Sequence, residues 1–172
     1  MIELLRKRRS IRKYKPEKIS QQHLKLIEEA LLRSPSSRNK RPWEFILIEN
    51  PEMIIKLSNA KAHGSEFLKG APLAIIIGGD ESLTDVWVED CSIASIVAQL
   101  LGESLGIGSC WVQIRNRNHK DNLSSEKYIQ ELLDLPVNIR IESIIAMGYP
   151  AEDKQPVPAS ELPIHKIRKE KY

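Results

Sequence analysis

The spacing of apolar and polar residues along the chain divides it into short helices and strands. Ile2, Leu4 and Leu5 predict a short helix over residues 2–8, which Lys15 and Pro16 break into an extended stretch. Ser20 is placed to cap a helix over about 21–33, in which Leu24, Ile27 and Leu31 recur at helical spacing. Pro35 to Asn39 is loop chemistry, and Trp43 to Ile48 reads as a strand. Asn50 and Pro51 open another helix, with proline at its first position. Leu73 to Ile77 predicts a buried strand stopped by Gly78, Gly79 and Asp80. Thr84 is a candidate cap for the longest helix, running to about Leu105 and apolar on more than one face. Such a helix needs cover on most sides, part of which a partner subunit could supply. Gly106 to Ile114 turns into a third strand. A polar loop 115–123, a helix over about 125–134 and a strand from Arg140 to Met147 follow. In that last strand Ile139 and Ile141 alternate with Arg140 and Glu142. Residues 150–163 hold four of the ten prolines and predict an extended arm, with Ile164 and Ile167 beyond it requiring burial.

Composition narrows the class. With 172 residues and 41% hydrophobic side chains, the chain is the size of one domain and apolar enough for a core. The longest stretch free of charge, Cys91 to Gly102, is too short for a membrane span of about 20 residues. No apolar stretch follows the basic N-terminus, so no secretory signal is expected. Cys91 and Cys110 then read as reduced thiols of a cytoplasmic protein.

The net charge of +3 is unevenly distributed. Residues 1–20 hold eight basic and two acidic side chains, and residues 164–172 hold four basic and one acidic, so the intervening chain is acidic. Basic ends suggest an anionic partner, and equally suit two solvated termini. A nucleic-acid surface is disfavoured, because only Tyr14 interrupts the first basic run with an aromatic ring.

Two segments carry candidate chemistry. In Arg8-Arg9-Ser10-Ile11-Arg12-Lys13-Tyr14, a helix end running into extended chain points Ser10 and Arg12 the same way, with Arg8 nearby. Two guanidinium forks and a hydroxyl suit a phosphate or another anion rich in oxygen. A basic run of this kind also fits a solvated surface. In Ser34 to Trp43, a loop between helix and strand offers Ser36, Ser37 and Asn39 as compact donors and acceptors. An ordinary turn before a core tryptophan reads the same way.

Together these segments resemble the nitroreductase family of flavoproteins. RRSIRKY at 8–14 and PSSRNKRPWEF at 35–45 are followed in order by GAPLAIIIGG at 70–79, LGIGSCWVQI at 105–114, IIAMGYP at 144–150 and KIRKEKY at 166–172. The resemblance covers essentially the whole chain, in the short single-domain form. It implies an α+β fold, with a mostly antiparallel four-stranded sheet flanked by helices. It also implies an intertwined homodimer binding FMN between its subunits. Arg8, Arg9 and Ser10 would meet the FMN phosphate and ribityl chain, and Arg12 the N1 edge of the ring. Pro35, Ser36, Ser37 and Asn39 would reach the flavin bound mainly by the other chain. Trp111, Val112 and Gln113 would lie by the reactive edge. Lys166 and Arg168 would close on the phosphate, which would explain why both ends are basic.

The activity so implied is oxidation of NADH or NADPH and reduction of a small acceptor, a nitroaromatic or quinone, in two half-reactions. The cofactor supplies the chemistry, so no side chain need be a dedicated acid or base, and Arg12 would favour negative charge on the reduced ring. The resemblance leaves open other flavin chemistry (enone reduction, dehalogenation, flavin turnover) and a non-enzymatic flavin carrier. Arg38 and Arg41 add charge to the second segment that could attract nicotinamide phosphates or remain at the surface. The glycines of 102–108 spell no dinucleotide fingerprint, and no P-loop is present. His23, His63, His119 and His165 lack metal-ligand spacing, and Asp90 reads as structural.

Overall fold

The computed structural model describes residues 1–120 and 122–172, so the polar loop 115–123 is described except at residue 121. Four strands, β1 (Trp43–Ile48), β2 (Leu73–Asp80), β3 (Gly108–Gln113) and β4 (Ile139–Gly148), form one antiparallel sheet in the order β1-β2-β4-β3. Five helices flank it: α1 (Ile2–Lys7), α2 (Gln21–Leu32), α3 (Pro51–Ser58), α4 (Trp87–Ser104) and α5 (Ser125–Leu132). This is the α+β architecture, a four-stranded antiparallel sheet flanked by helices, that the sequence motifs implied.

Register shows why both faces are covered. Ile46, Ile76, Ile144 and Val112 stand opposite one another across the four strands, on the face packed by Ile54 and Leu57 of α3 and Ile129 of α5. The neighbouring row of Leu47, Ile75, Ile145 and Trp111 meets Leu24 and Ile27 of α2 and Ala94 and Ala98 of α4. Each fully buried isoleucine contributes roughly 1.5–3 kcal/mol relative to exposure. Because β2 is apolar on both faces, hydrophobicity alone cannot fix its register. Gly78 does so: a Cβ there would stand 2.6 Å from the Arg140 carbonyl oxygen, so only glycine fits opposite β4 at that point.

Two of the predicted caps are present: Ser20 accepts the His23 N–H at 3.2 Å and Asn50 the Met53 N–H at 3.0 Å. Ser124, not singled out in the sequence, accepts the Lys127 N–H at 3.1 Å. Two boundaries differ from expectation. Strand β2 does not stop at Ile77 but continues through Gly78 and Gly79 to Asp80, because the glycines serve close packing rather than a turn. Helix α4 begins at Trp87 after Val86, while Thr84 spends its hydroxyl on the Val86 N–H at 3.3 Å.

The simple alternation expected of β4 also fails. Its register with β2 shifts at Ile77/Gly78, which pair with Ser143 and Ile141, so Glu142 is the extra residue of a bulge. Glu142 is only 5% exposed, whereas Arg140 reaches Glu126 and Glu81 at 2.7 Å each. On α4, Ile93 and Ile96 remain exposed at 40% and 39% within the protomer. No helix among the described residues is long and apolar enough to cross a membrane.

Candidate functional site

The first basic segment leaves α1 in extended conformation and lies along the outer edge of β3. Ser10 bridges Ser109 in parallel, and the Ile11 N–H donates to the Ser109 carbonyl at 2.9 Å. Ile11 is buried directly over Gly108, where a Cβ would stand 2.8 Å from Ile11 Cγ1. With Ile11 turned inward, the Arg12 guanidinium lies over the Phe67 ring, 5.7 Å from its centroid. Arg12, Ser10, Lys154 and Arg8 all act on the Cys110 thiol. Burial pushes that thiol up, and these neighbours pull against it. Along the chain, Arg8 and Arg12 flank Ser10 where it bridges Ser109, and Lys154 donates to the Ser10 carbonyl. Arg8 and Arg12 meet no carboxylate through their guanidinium groups among the described residues. Arg9 donates to the Gln155 carbonyl, borders a 410 Å³ cavity with Lys7, Glu103 and Lys154, and lines a second cavity together with Arg8.

The start of the proline-rich arm clamps this segment. Tyr14 bridges Pro150, Lys15 donates to the Tyr149 carbonyl at 2.8 Å, and Ala151 to the Lys13 carbonyl at 2.9 Å. The Glu152 carboxylate accepts the N–H of Arg12 at 2.5 Å and of Lys13 at 3.2 Å. These bonds, that of Arg12 first, hold its carboxyl below the usual range. Lys154 bridges the two sides, 3.3 Å from Glu152 and donating to the Ser10 carbonyl at 2.8 Å. Sequence patterning did not single out Glu152 or Lys154, since an irregular arm has no periodicity to read.

Farther along the arm, Lys166 ends a short turn and Arg168 lies over the Tyr172 ring at 5.2 Å; both are exposed. The burial expected of Ile164 and Ile167 is not found within the protomer, where they are 70% and 74% exposed. Nothing in the arm beyond Pro156 folds over them, because its prolines and short turns hold it extended.

The second segment, ahead of β1, is held in an unusual conformation. Arg38, Asn39 and Arg41 have positive φ of 50°, 56° and 49°. Left-handed backbone costs a non-glycine residue roughly 1 kcal/mol or more. Side chains and carbonyls fix it: Ser36 Oγ accepts the Arg41 N–H at 2.8 Å, and Asn39 Oδ1 accepts Arg41 Nε at 2.9 Å. Lys40 Nζ donates to the Leu83 carbonyl at 2.6 Å. The Asp90 carboxylate, 3% exposed, reaches out from α4 to accept the Ser37 N–H at 2.9 Å. Asp90 is thus structural as expected, and what it structures is this loop. Pro35, Ser37 and Asn39 stay exposed, while Ser36 is half-buried.

On β3, Val112 is a core side chain at 1% exposure, so only its main chain can face a ligand. Trp111 Nε1 donates to Gln113 Oε1 at 3.0 Å, and Gln113 Nε2 to the Arg115 carbonyl at 3.0 Å. The two cationic segments lie at opposite margins of the sheet, one along β3 and the other leading into β1. Strands β4 and β2 intervene, a separation of about 14 Å at the usual strand spacing.

The model described as the nitroreductase family matches residues 5–64 and 57–149. A protein of Archaeoglobus fulgidus, named a candidate NADH dehydrogenase/NAD(P)H nitroreductase, is 36% identical over 157 residues, or 89% of this chain and 87% of its own length. A protein of the same name from Methanothermobacter thermautotrophicus is 36% identical over 156 residues, covering 89% and 78%. The solved structure of an FMN-dependent nitroreductase from Clostridium difficile R20291 is 44% identical, with a TM-score of 0.98 over 100% of both chains. By family match, sequence identity and fold alike, this chain belongs to the nitroreductase family.

Proposed function

We propose that this chain is an FMN-dependent oxidoreductase that takes reducing equivalents from NADH or NADPH and passes them to a small acceptor such as a nitroaromatic or a quinone. The observation that carries the reading is the pair of guanidinium residues, Arg8 and Arg12, flanking Ser10 where it bridges β3, with no carboxylate on either guanidinium among the described residues. Cations so placed fit a phosphorylated ligand, and the open β3 main chain beside them suits a flat ring. Bound FMN would accept a hydride from the nicotinamide and hand the equivalents on. Arg8 and Ser10 hold its phosphate end, and Arg12, set over Phe67, faces the polar edge of the ring and favours negative charge there. Arg9, engaged with Gln155, secures the arm beside them. Trp111, Val112 and Gln113 present the strand that borders the reactive edge.

The resemblance implies that the two segments reach one cofactor from different subunits, and within a protomer they sit at opposite margins of the sheet. This supports a homodimer in which Pro35, Ser36, Ser37 and Asn39 reach the flavin held by the other chain. The exposed Ile93, Ile96, Ile164 and Ile167 offer apolar surface for such an interface, and Lys166 and Arg168 would be delivered to the phosphate by the arm. Purified protein should be yellow, release FMN on heating, sediment as a dimer, and oxidise NADH or NADPH faster when menadione or a nitroarene is added. Colourless protein that takes up no added FMN would overturn the reading.

A further inference from the structure

Arg41 bonds through both its main chain and its side chain to residues that the family motif assigns to the flavin. Its N–H donates to Ser36 Oγ at 2.8 Å, and its Nε donates to Asn39 Oδ1 at 2.9 Å. The turn between them is closed by the Asn39 N–H on the Ser36 carbonyl and the Lys40 N–H on the Ser37 carbonyl, each at 3.0 Å. Asn39 and Arg41 both hold left-handed backbone, with φ of 56° and 49°, and their side chains meet although only two positions apart. Among the described residues the Arg41 guanidinium forms no ion pair with a carboxylate. Arg38, with the same charge and a φ of 50°, shares neither of these bonds to Ser36 and Asn39.

From this geometry we infer that Arg41 is a positioning residue for the second flavin-binding segment: it engages the acceptor oxygens of Ser36 and Asn39, so that the loop meets its ligand with hydrogen-bond donors. The inference rests on the proposed flavin site. A guanidinium has donors and no acceptor, so only the oxygen of the Asn39 amide can face Nε. The amide nitrogen then lies on the far side of the group, with two N–H donors for a ligand. Ser36 Oγ, which accepts from the main chain of Arg41, keeps its own O–H proton to donate. FMN offers carbonyl, hydroxyl and phosphate oxygens, which a set of donors suits. Without Arg41 the Asn39 amide is free to turn over and present its oxygen to theirs. Fixing the amide beforehand removes that ordering cost from binding. Arg41 thus acts on the ligand through Asn39, and what counts is the donor at its ε position rather than its charge.

The test follows from side-chain length. Glutamine carries an N–H donor at the same ε position as arginine, whereas lysine has a methylene there and keeps the charge. The main-chain bond to Ser36 is open to every residue with an N–H, so these substitutions isolate the side-chain bond to Asn39. Residues 38, 39 and 41 are all exposed, away from the core. Titration of flavin-free protein with FMN, followed by flavin fluorescence, should show Arg41→Ala and Arg41→Lys binding about tenfold more weakly than wild type, and Arg41→Gln within about twofold of it. Asn39→Ala should lose about tenfold, and the double variant Asn39→Ala/Arg41→Ala should bind no more weakly than Asn39→Ala alone. Arg38→Ala should stay near wild type. If Arg41→Lys binds as wild type does, if Arg38→Ala loses as much as Arg41→Ala, if the two losses multiply in the double variant, or if Arg41→Ala loses nothing, the inference fails and the proposed function stands. If wild-type protein takes up no FMN, the proposed function fails and the inference falls with it.

Discussion

The carboxylate of Glu152 and the main chain of Arg12, 140 positions apart in sequence, meet at 2.5 Å. That bond ties the arm to the segment whose guanidinium groups meet no carboxylate among the described residues. Replacing Glu152 with glutamine keeps its size and removes its charge. It should cost roughly 1–2 kcal/mol, the weight of a charge-assisted bond in a half-buried place. Because the folded carboxyl is held below its ordinary range, its contribution is present above the unfolded pKa and disappears as pH falls through the folded one. Urea unfolding at several pH values should therefore separate wild type from Glu152→Gln at neutral pH and bring them together in acid. A gap that persists in acid would mean that the charge is not the source of the clamp.

Asp90 fixes a loop rather than a reaction. In Asp90→Ala the Ser37 N–H loses its acceptor, and the three left-handed residues nearby lose part of what holds them. FMN affinity should fall about tenfold while Asp90→Asn, which keeps a side-chain acceptor, stays near wild type. Fluorescence titration of apoprotein with FMN measures both. Equal affinity of the alanine variant and the wild type would remove the loop from the cofactor site.

Burial raises the Glu142 carboxyl above its usual range, and Arg115 only partly opposes this. A raised folded pKa makes the acid most compatible with the fold below its unfolded pKa and a growing burden as pH rises through the folded value. Glu142→Gln should accordingly be more stable than wild type at neutral pH by roughly 1 kcal/mol, with the difference shrinking in acid. Thermal unfolding across that range reads it out. A wild type that gained stability over the glutamine variant on going to neutral pH would contradict the burial argument.

Arg8 is assigned to the phosphate, so its removal should matter for FMN and hardly at all for riboflavin. Arg8→Ala should weaken FMN binding on the order of tenfold, the cost of one charge-assisted contact of about 1.5 kcal/mol. Isothermal titration with both ligands decides the point. Wild-type protein that binds riboflavin as tightly as FMN would refute the assignment.

Periodicity in the sequence was enough to place the five helices and four strands within a few residues, because their apolar repeats and caps are local signals. Ser20 and Asn50 illustrate this: each carries its own instruction within three residues. The motifs also led to Arg8, Ser10, Arg12 and the 35–39 loop. Less legible were features created by chain crossing. Glu152 gains its meaning only from lying against Arg12, and Asp90 only from lying under Ser37. Glu142 was read as one side of a plain alternation, since a bulge depends on the partner strand and on Gly78 rather than on the residue itself. The termination expected at Gly78 failed for the same reason: glycine signals a turn in isolation and close packing when a neighbouring strand demands it.

The interlock of residues 9–15 with 149–155 has a consequence for biosynthesis. The anchor for Arg12 emerges from the ribosome long after Arg12 does, so the corner proposed to bind an anion cannot be completed during early translation. On the proposed reading cofactor loading would follow the emergence of Glu152, and a nascent chain stalled before it would carry the cations without the brace that orders them.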